Sequence, residues 1–347
     1  MRCRLLLLVF CSISACAQTV RIGVFTLFHA TQLEIRPTES SPLLLTVGRT
    51  QFFLNGEPGH SKALVRSANS LLLLDAQSAS TITVTSRDGA PADFVISIPG
   101  KISRRYQGIL TVTADARQLI PVVSMDIETA TASIVAAESA PEASMEALKA
   151  QAVVARSFLY AGHRHHGYDF CDTTHCQFLR QPPTLDSLAF KATAATHGLI
   201  LTWHHQPLAA MYSSRCGGRT ASLREIGIPS SGYPYFSVPC AYCGRHPVRW
   251  TRMLSRTEAD QLTGPSEQQR LALGREYGWS AVPGNHYSRR PLMNGTILSG
   301  EGAGHGVGLC QYGASGMAGE GATYATILRH YYPETELAGI PSLNTQP

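Results

Sequence analysis

A chain of 347 residues, 44% hydrophobic and only 15% charged, can bury a full-sized core, and its length suggests about two structural units. The formal charge of +5 is spread thinly, with no run of Lys or Arg that could serve as a nucleic-acid arm. These properties exclude a disordered chain and point away from nucleic acid, while a weak positive bias suits an anionic polymer.

The first residues describe an export signal. Arg2 and Arg4 precede the apolar run 5–10, and small residues follow over 12–17. That order is a secretory leader over residues 1–17, too short to span a bilayer. Two exits fit it. Ala15-Cys16-Ala17 offers cleavage after Ala17, whereas Ile13-Ser14-Ala15-Cys16 resembles a lipobox that would leave Cys16 as a lipidated N-terminus. The expected location is exported, in the periplasm or cell envelope, with the membrane reached only through such a lipid anchor. Cys3, Cys11 and Cys16 belong to this leader. Cys171, Cys176, Cys216, Cys240, Cys243 and Cys310 remain for disulfides or a metal.

Residues 18–115 read as a β-rich region. Segments 81–85, 94–98 and 108–113 have strand composition, and Gly56-Glu57-Pro58-Gly59, Asp88-Gly89 and Pro99-Gly100 punctuate them. No titratable cluster stands out there, which leaves a scaffold or docking role. Residues 116–340 read as an α+β body. Glu138 lies in Ile134-Val135-Ala136-Ala137-Glu138-Ser139-Ala140, an apolar setting that would desolvate a carboxyl and suit it to proton donation. By spacing alone the same residue fits a surface loop. The next segment is predicted as a helix over Met145–Ala161, because Leu148, Ala152, Ala155 and Leu159 recur at steps of four, three and four. Ser144 is its expected N-cap, with Pro141 just upstream. Glu146 in the first turn is accounted for by the helix dipole.

A soft-ligand cluster follows: Cys171, His175 and Cys176, with His163, His165 and His166 upstream. Two thiols and two imidazoles suit tetrahedral zinc, with His165 as the chosen fourth ligand and His166 or His163 as substitutes. A Cys171–Cys176 disulfide is the alternative. Strands are expected over 198–203 and 208–212. Cys216, Cys240-Ala-Tyr-Cys243 and His246 form a second structural group, as zinc ligands or disulfides. Alternating glycines from Gly300 to Gly313 frame His305, Gln311 and Tyr312 and allow close backbone approach to a ligand. No Gly-Lys-Ser/Thr closes that segment, so it is not a phosphate loop. Tyr324, Ile327, Leu328 and Tyr331 form a last helical stripe, stopped by Pro333.

The order of these segments is more specific than any one of them. Glu146-Ala-Leu-Lys-Ala-Gln-Ala-Val-Val-Ala-Arg156-Ser, Cys171-Asp-Thr-Thr-His-Cys-Gln177, Tyr212-Ser-Ser-Arg-Cys-Gly-Gly-Arg-Thr220, Gly304-His-Gly-Val-Gly-Leu-Cys-Gln-Tyr-Gly-Ala-Ser-Gly-Met317 and Ile327-Leu-Arg-His-Tyr-Tyr-Pro333 follow one another. Together they closely resemble the SpoIID/LytB family over residues 105–335. The resemblance implies a SpoIID-like catalytic body and a lytic transglycosylase that cuts MurNAc–GlcNAc bonds of denuded peptidoglycan strands, leaving 1,6-anhydroMurNAc ends. LytB-type relatives instead imply a non-catalytic wall-binding enhancer of an N-acetylmuramoyl-L-alanine amidase. Sporulation comes with the family name only.

The family acid lies eight residues before the Glu of the Glu-Ala-Leu-Lys helix, which is Glu138 here, although Ser139-Ala140 replaces the family's Met-Pro. Glu146, Lys149, Arg156, Gln177, Tyr212, His305, Gln311 and Tyr312 are the candidates for holding the strand. Some family members hold zinc at the His/Cys cluster, which implies a structural ion at His165, Cys171, His175 and Cys176. The implied partners are peptidoglycan glycan strands and a cell-wall amidase. A metal-dependent peptidase is disfavoured, since two thiolates and two imidazoles leave zinc no open position.

Overall fold

A computed structural model describes residues 18–340 except 40, 69–70, 75–76, 141, 163–164 and 230–231. The leader with Cys16, the Pro141 upstream of the long helix, and the substitute ligand His163 lie outside the described residues. The chain is α+β with a β-rich N-terminal region, as its sequence implies.

Alternating burial builds the front. Its strands are β1 (Thr19–Gly23), β2 (Gln32–Pro37), β3 (Leu43–Val47), β4 (Thr50–Leu54), β5 (Ala63–Ala68), β6 (Leu71–Leu74), β7 (Gln77–Ala79), β8 (Thr81–Ser86), β9 (Ala92–Ile98), β10 (Ile102–Ala114) and β11 (Leu119–Asp126). Leu43, Leu45 and Val47 of β3 and Ile82 and Val84 of β8 face one core, the period of two expected for strands with one covered face. β10 serves two layers. Its first half pairs with β9, which leads on to β2, β5, β6 and β7; its second half pairs with β11 and with β8, which leads on to β3 and β4. The change falls at Gly108, where φ is 152° and a Cβ would lie 2.4 Å from the Ser124 carbonyl oxygen. Only glycine fits there.

The sheet continues past residue 115 and runs straight into α1 (Ile127–Glu138), where the Asp126 carboxylate accepts the Glu128 and Thr129 N–H groups at 2.9 and 3.0 Å. The sequence reading had no helix at this place. α2 (Met145–Ala161) forms as expected, and its stripe divides between two cores. Leu148 and Ala152 pack with Val135, Ala189 and Ala192, whereas Ala155 and Leu159 join the core of the front. β12 (Phe170–Cys171) then returns to the front and pairs in parallel with β1, whose other edge pairs with β11.

Beyond it, α3 (Leu188–Ala195) packs on α2, and β13 (Leu199–Trp203) forms a small sheet with β14 (Gln206–Pro207) and a late strand, Glu336–Gly339. The strand expected over 208–212 is not formed: only β15 (Tyr212–Ser213) is a strand. The Tyr235 hydroxyl takes the Met211 N–H at 3.1 Å and donates to the Ala209 carbonyl at 2.5 Å, so buried tyrosine replaces a neighbouring ladder.

After the short helix α4 (Ala241–Arg245), residues 249–301 make a subdomain that sequence reading did not separate. β16 (Arg249–Ser255), α5 (Arg256–Asp260), α6 (Glu267–Tyr277), β17 (Tyr287–Leu292) and β18 (Gly295–Glu301) surround their own small core of Leu254, Leu262, Leu273 and Leu298. β19 (Leu309–Cys310) then pairs with β15 and leads into α7 (Gln311–Gly319), α8 (Tyr324–Tyr331) and β20 (Glu336–Gly339). Among the described residues, no helix is long and apolar enough to cross a membrane.

Candidate functional site

A cavity of about 860 Å³ opens between the body and the 249–301 subdomain. Glu138, the last residue of α1, lines it together with Tyr212, His305 and Gln311 of the body. Two contacts fix Glu138. The Phe178 N–H donates to its carboxyl oxygen, and the Gln311 side-chain amide donates to its main-chain oxygen at 2.8 Å. The Tyr212 hydroxyl lies against the same carboxyl and donates to Gln177 Oε1 at 3.0 Å, so one proton faces two acceptors. Gln177 is itself set by a 3.2 Å bond from its amide to the Ala155 carbonyl.

Burial raises the pKa of Glu138 to about 7, against the lowering pull of Tyr212 and of the Phe178 N–H. Its place at the negative end of α1 also favours the neutral acid. A carboxyl balanced near neutrality can give a proton and take one back.

The other expected residues divide sharply. His305 lines the cavity and accepts the Val307 N–H on Nδ1 at 3.0 Å, which turns Nε2 into the donor. Tyr312 is outside this lining and packs under the Arg215 guanidinium at 3.5 Å from its ring centre. Glu146 pairs with Lys149 at 2.7 Å and also accepts the Tyr324 N–H at 2.7 Å. These bonds hold its carboxyl below the usual range and fasten the start of α8 to α2. Arg156 is fully buried, with two nitrogens on Glu128 at 2.7 and 2.6 Å and further bonds to the Leu199 and Thr193 carbonyls. Glu146, Lys149 and Arg156 thus hold framework positions away from the cavity lining.

The first cysteine cluster is brought together. One ligand atom from each of His165, Cys171, His175 and Cys176 lies within 4.8 Å of the others. His165 Nε2 is 3.2 Å from the Cys176 sulfur, and His175 Nδ1 is 3.8 and 3.6 Å from the sulfurs of Cys171 and Cys176. Zinc bonds of about 2.3 Å to sulfur and 2.0 Å to nitrogen give tetrahedral edges of roughly 3.5 Å, so these donors suit that ion. The hydrogen bond from Cys176 does most to hold the Cys171 thiol well below its usual range.

Asp172, within the same turn, ties it to the front. Its buried carboxylate meets Arg104 of β10 at 2.8 Å and the Phe25 N–H at 3.1 Å. The second cysteine group also converges, but with Cys310 as its fourth member in place of His246, whose ring lies tilted against Tyr242 with ring centres 4.6 Å apart.

Sequence reasoning missed the opposite wall. Glu267, Arg270, Arg275 and Trp279 line the cavity from the subdomain. Both Glu267 oxygens are engaged by Arg270 at 2.7 Å, and Asn285 adds a third bond at 2.7 Å. Trp279 is 45% exposed, its ring backed by Gly274, where a Cβ would come within 2.4 Å. A glycine beneath an exposed tryptophan was visible in the sequence only as separate residues.

Comparison with known proteins adds a family. Residues 115–203 match the SpoIID family of stage II sporulation proteins. An uncharacterised protein of Brachyspira hyodysenteriae is 27% identical over 276 residues, covering 70% of this chain and 74% of its own. Stage II sporulation protein D of Bacillus subtilis is 28% identical over 62% of this chain and 76% of its own. The amidase enhancer of Bacillus subtilis is 26% identical over 56% of this chain and 38% of its own.

Proposed function

We propose that this chain, which belongs to the SpoIID/LytB family, is a peptidoglycan lytic transglycosylase with Glu138 as its single acid–base group. The observation that carries this reading is one carboxyl, Glu138, lining a cavity of about 860 Å³ with its pKa raised to about 7 by burial. Glycosidases that use water typically need two working carboxyls. The second carboxylate here, Glu267, has both oxygens committed to Arg270 and is held below its usual pKa range. Of the carboxyls among the described residues lining the cavity, that leaves Glu138 for proton transfer.

Glu138 in its neutral form donates to the glycosidic oxygen of the departing GlcNAc as positive charge develops at C1 of MurNAc. The resulting carboxylate takes the proton of the MurNAc 6-hydroxyl while that oxygen attacks C1, closing the 1,6-anhydro ring. The acid is regenerated and no water is consumed. Tyr212 can give its proton to Gln177 while Glu138 is neutral and to Glu138 when it is ionised, which steadies both states. His305, through Nε2–H, and Arg275 offer donors to sugar oxygens, and Trp279 a flat face to a sugar ring.

Zinc held by His165, Cys171, His175 and Cys176 would supply a closed structural tie and no catalytic position. What it would steady is the turn that presents Gln177 and Phe178. Peptidoglycan lies outside the cytoplasm, so this reading requires export; the mass of the mature N-terminus distinguishes a lipid on Cys16 from cleavage after Ala17.

The test is product analysis on denuded peptidoglycan. Anhydro-ended fragments are expected from the native chain, and from Glu138→Gln only at a rate about 10²–10⁴-fold lower. The similarity to an amidase enhancer supports a second reading. Under it the chain produces no new glycan ends and instead raises the rate of a wall amidase, and that outcome would displace the enzyme.

A further inference from the structure

We propose that Cys216, Cys240, Cys243 and Cys310 hold a second zinc ion as a buried tetrathiolate, independent of the reaction assigned to Glu138. The four come from three separate stretches of chain. Cys216 ends the run after β15, Cys240 and Cys243 flank and occupy α4, and Cys310 closes β19 at the start of α7. Their sulfurs nevertheless all lie within 4.8 Å of one another, and Cys243 and Cys310 are 3.5 Å apart.

That spacing fits a single node better than two pairs. Four sulfurs at about 2.3 Å from zinc sit about 3.8 Å apart, whereas a disulfide needs about 2.05 Å. All four are free thiols in the structure. All are at most 3% exposed, too enclosed for a redox exchange partner to reach. Buried free cysteines behave as small apolar residues, and packing gives no reason for four of them to meet at their sulfurs.

The local sequence has the shape of a ligand knuckle. Cys240-Ala-Tyr-Cys243 has the two-residue spacing of zinc-binding cysteine pairs and is followed by Gly244. Cys216 is followed by Gly217 and Gly218, both at positive φ, 76° and 106°, and the Gly218 carbonyl accepts the Cys240 N–H at 2.8 Å. The two knuckles are therefore fastened to each other through their backbones.

Groups suited to thiolate charge surround the node. The Gly313 N–H points at the Cys310 sulfur at 3.3 Å from the first turn of α7, and the Tyr331 hydroxyl lies 3.4 Å from the Cys240 sulfur. Gly313 is needed for this closure, since a Cβ would stand 2.5 Å from the Cys240 sulfur and nearer still to the Tyr331 hydroxyl. Binding is a simple exchange: one Zn²⁺ replaces the four thiol protons, with no change of oxidation state.

The experiment uses the full-length chain purified without chelator, with zinc counted per chain and its ligand shell read by X-ray absorption. Zinc with four sulfur neighbours near 2.3 Å is expected in the His165→Ala/Cys176→Ser variant, which removes the other cluster. If that variant fails to fold, the native chain still decides. With both sites filled it should bind two zinc ions with an average shell of three sulfurs and one nitrogen. Cys243→His should keep the zinc count and exchange one sulfur for nitrogen. A native chain holding a single zinc in a two-sulfur shell overturns the proposal. So does mass spectrometry of the unfolded, alkylated chain that finds disulfides among these four cysteines.

Discussion

The two cysteine clusters differ in nearly every respect except what they end on. The first draws its members from residues 165–176, mixes imidazole with thiol, and is partly exposed beside the cavity. The second spans residues 216–310, uses thiols alone, and is wholly buried in the core of the body. Yet Phe178, two residues after Cys176, holds the Glu138 carboxyl, and Gln311, one residue after Cys310, holds its main-chain oxygen. A local cluster can steady a single turn, whereas a dispersed one must be built together with the fold. Glu138 depends on both.

Removing the group on which both converge should have the largest effect. Glu138→Gln is expected to lower the rate on denuded glycan by about 10²–10⁴-fold, measured by release of anhydro-ended products. In the native chain the rate should fall about tenfold per pH unit above a pKa of about 7, because the neutral acid is the donor.

The same substitution should move stability the other way. Burial raises the folded-state pKa of Glu138 from 4.5 to about 7, so its stabilising effect is complete below 4.5 and lost as pH rises through 7. Glu138→Gln should therefore gain up to about 3 kcal/mol relative to the native chain between pH 4.5 and pH 8, less whatever its amide loses at the Phe178 N–H. Urea titrations at the two pH values would show it; a pH-independent difference would mean that the carboxyl is not desolvated.

The clusters themselves come next. Cys171→Ser/Cys176→Ser should cost about 10–100-fold in rate with the body still folded, because only the turn bearing Gln177 and Phe178 loosens. Near-ultraviolet circular dichroism should stay native-like in that variant and change in Cys240→Ser/Cys243→Ser. Equal spectral loss in both would erase the distinction between local and dispersed. The smallest effect is expected for Gln311→Ala, about 1 kcal/mol of stability from one hydrogen bond, read by thermal unfolding.

What could be read from the sequence follows the same division. α2 was legible because its alanine and leucine stripe repeats at helical spacing, and the first cluster because its histidines and cysteines lie within one short stretch. α1 was not, since Thr131, Ser133, Ile134 and Val135 are all fully buried, so no apolar face alternates with a polar one. The 249–301 subdomain escaped because β16 and β17 carry Arg249, Arg252, Arg289 and Arg290 and are largely exposed, without a core-facing alternation. Cys310 was grouped with the glycines beside it, because only the pairing of β15 with β19 carries it toward Cys216. Arg156 and Glu146 were placed near substrate by resemblance; their partners Glu128 and Tyr324 are distant in sequence, and no local pattern announces them.

β1 carries a consequence for how the chain becomes a protein. Thr19 pairs with Asp126 and Ile22 with Phe170, partners 107 and 148 positions further along. The earliest strand of the front therefore gains its first neighbour only once the chain reaches residue 126 and its second only near residue 170, almost half-way along, and closing loops of that length slows folding. Its two edges stay open meanwhile, and the second is covered only when the turn bearing Cys171 arrives. Assembly thus runs backward along the sequence at this seam: the front is completed by residues of the body, and neither piece finishes without the other.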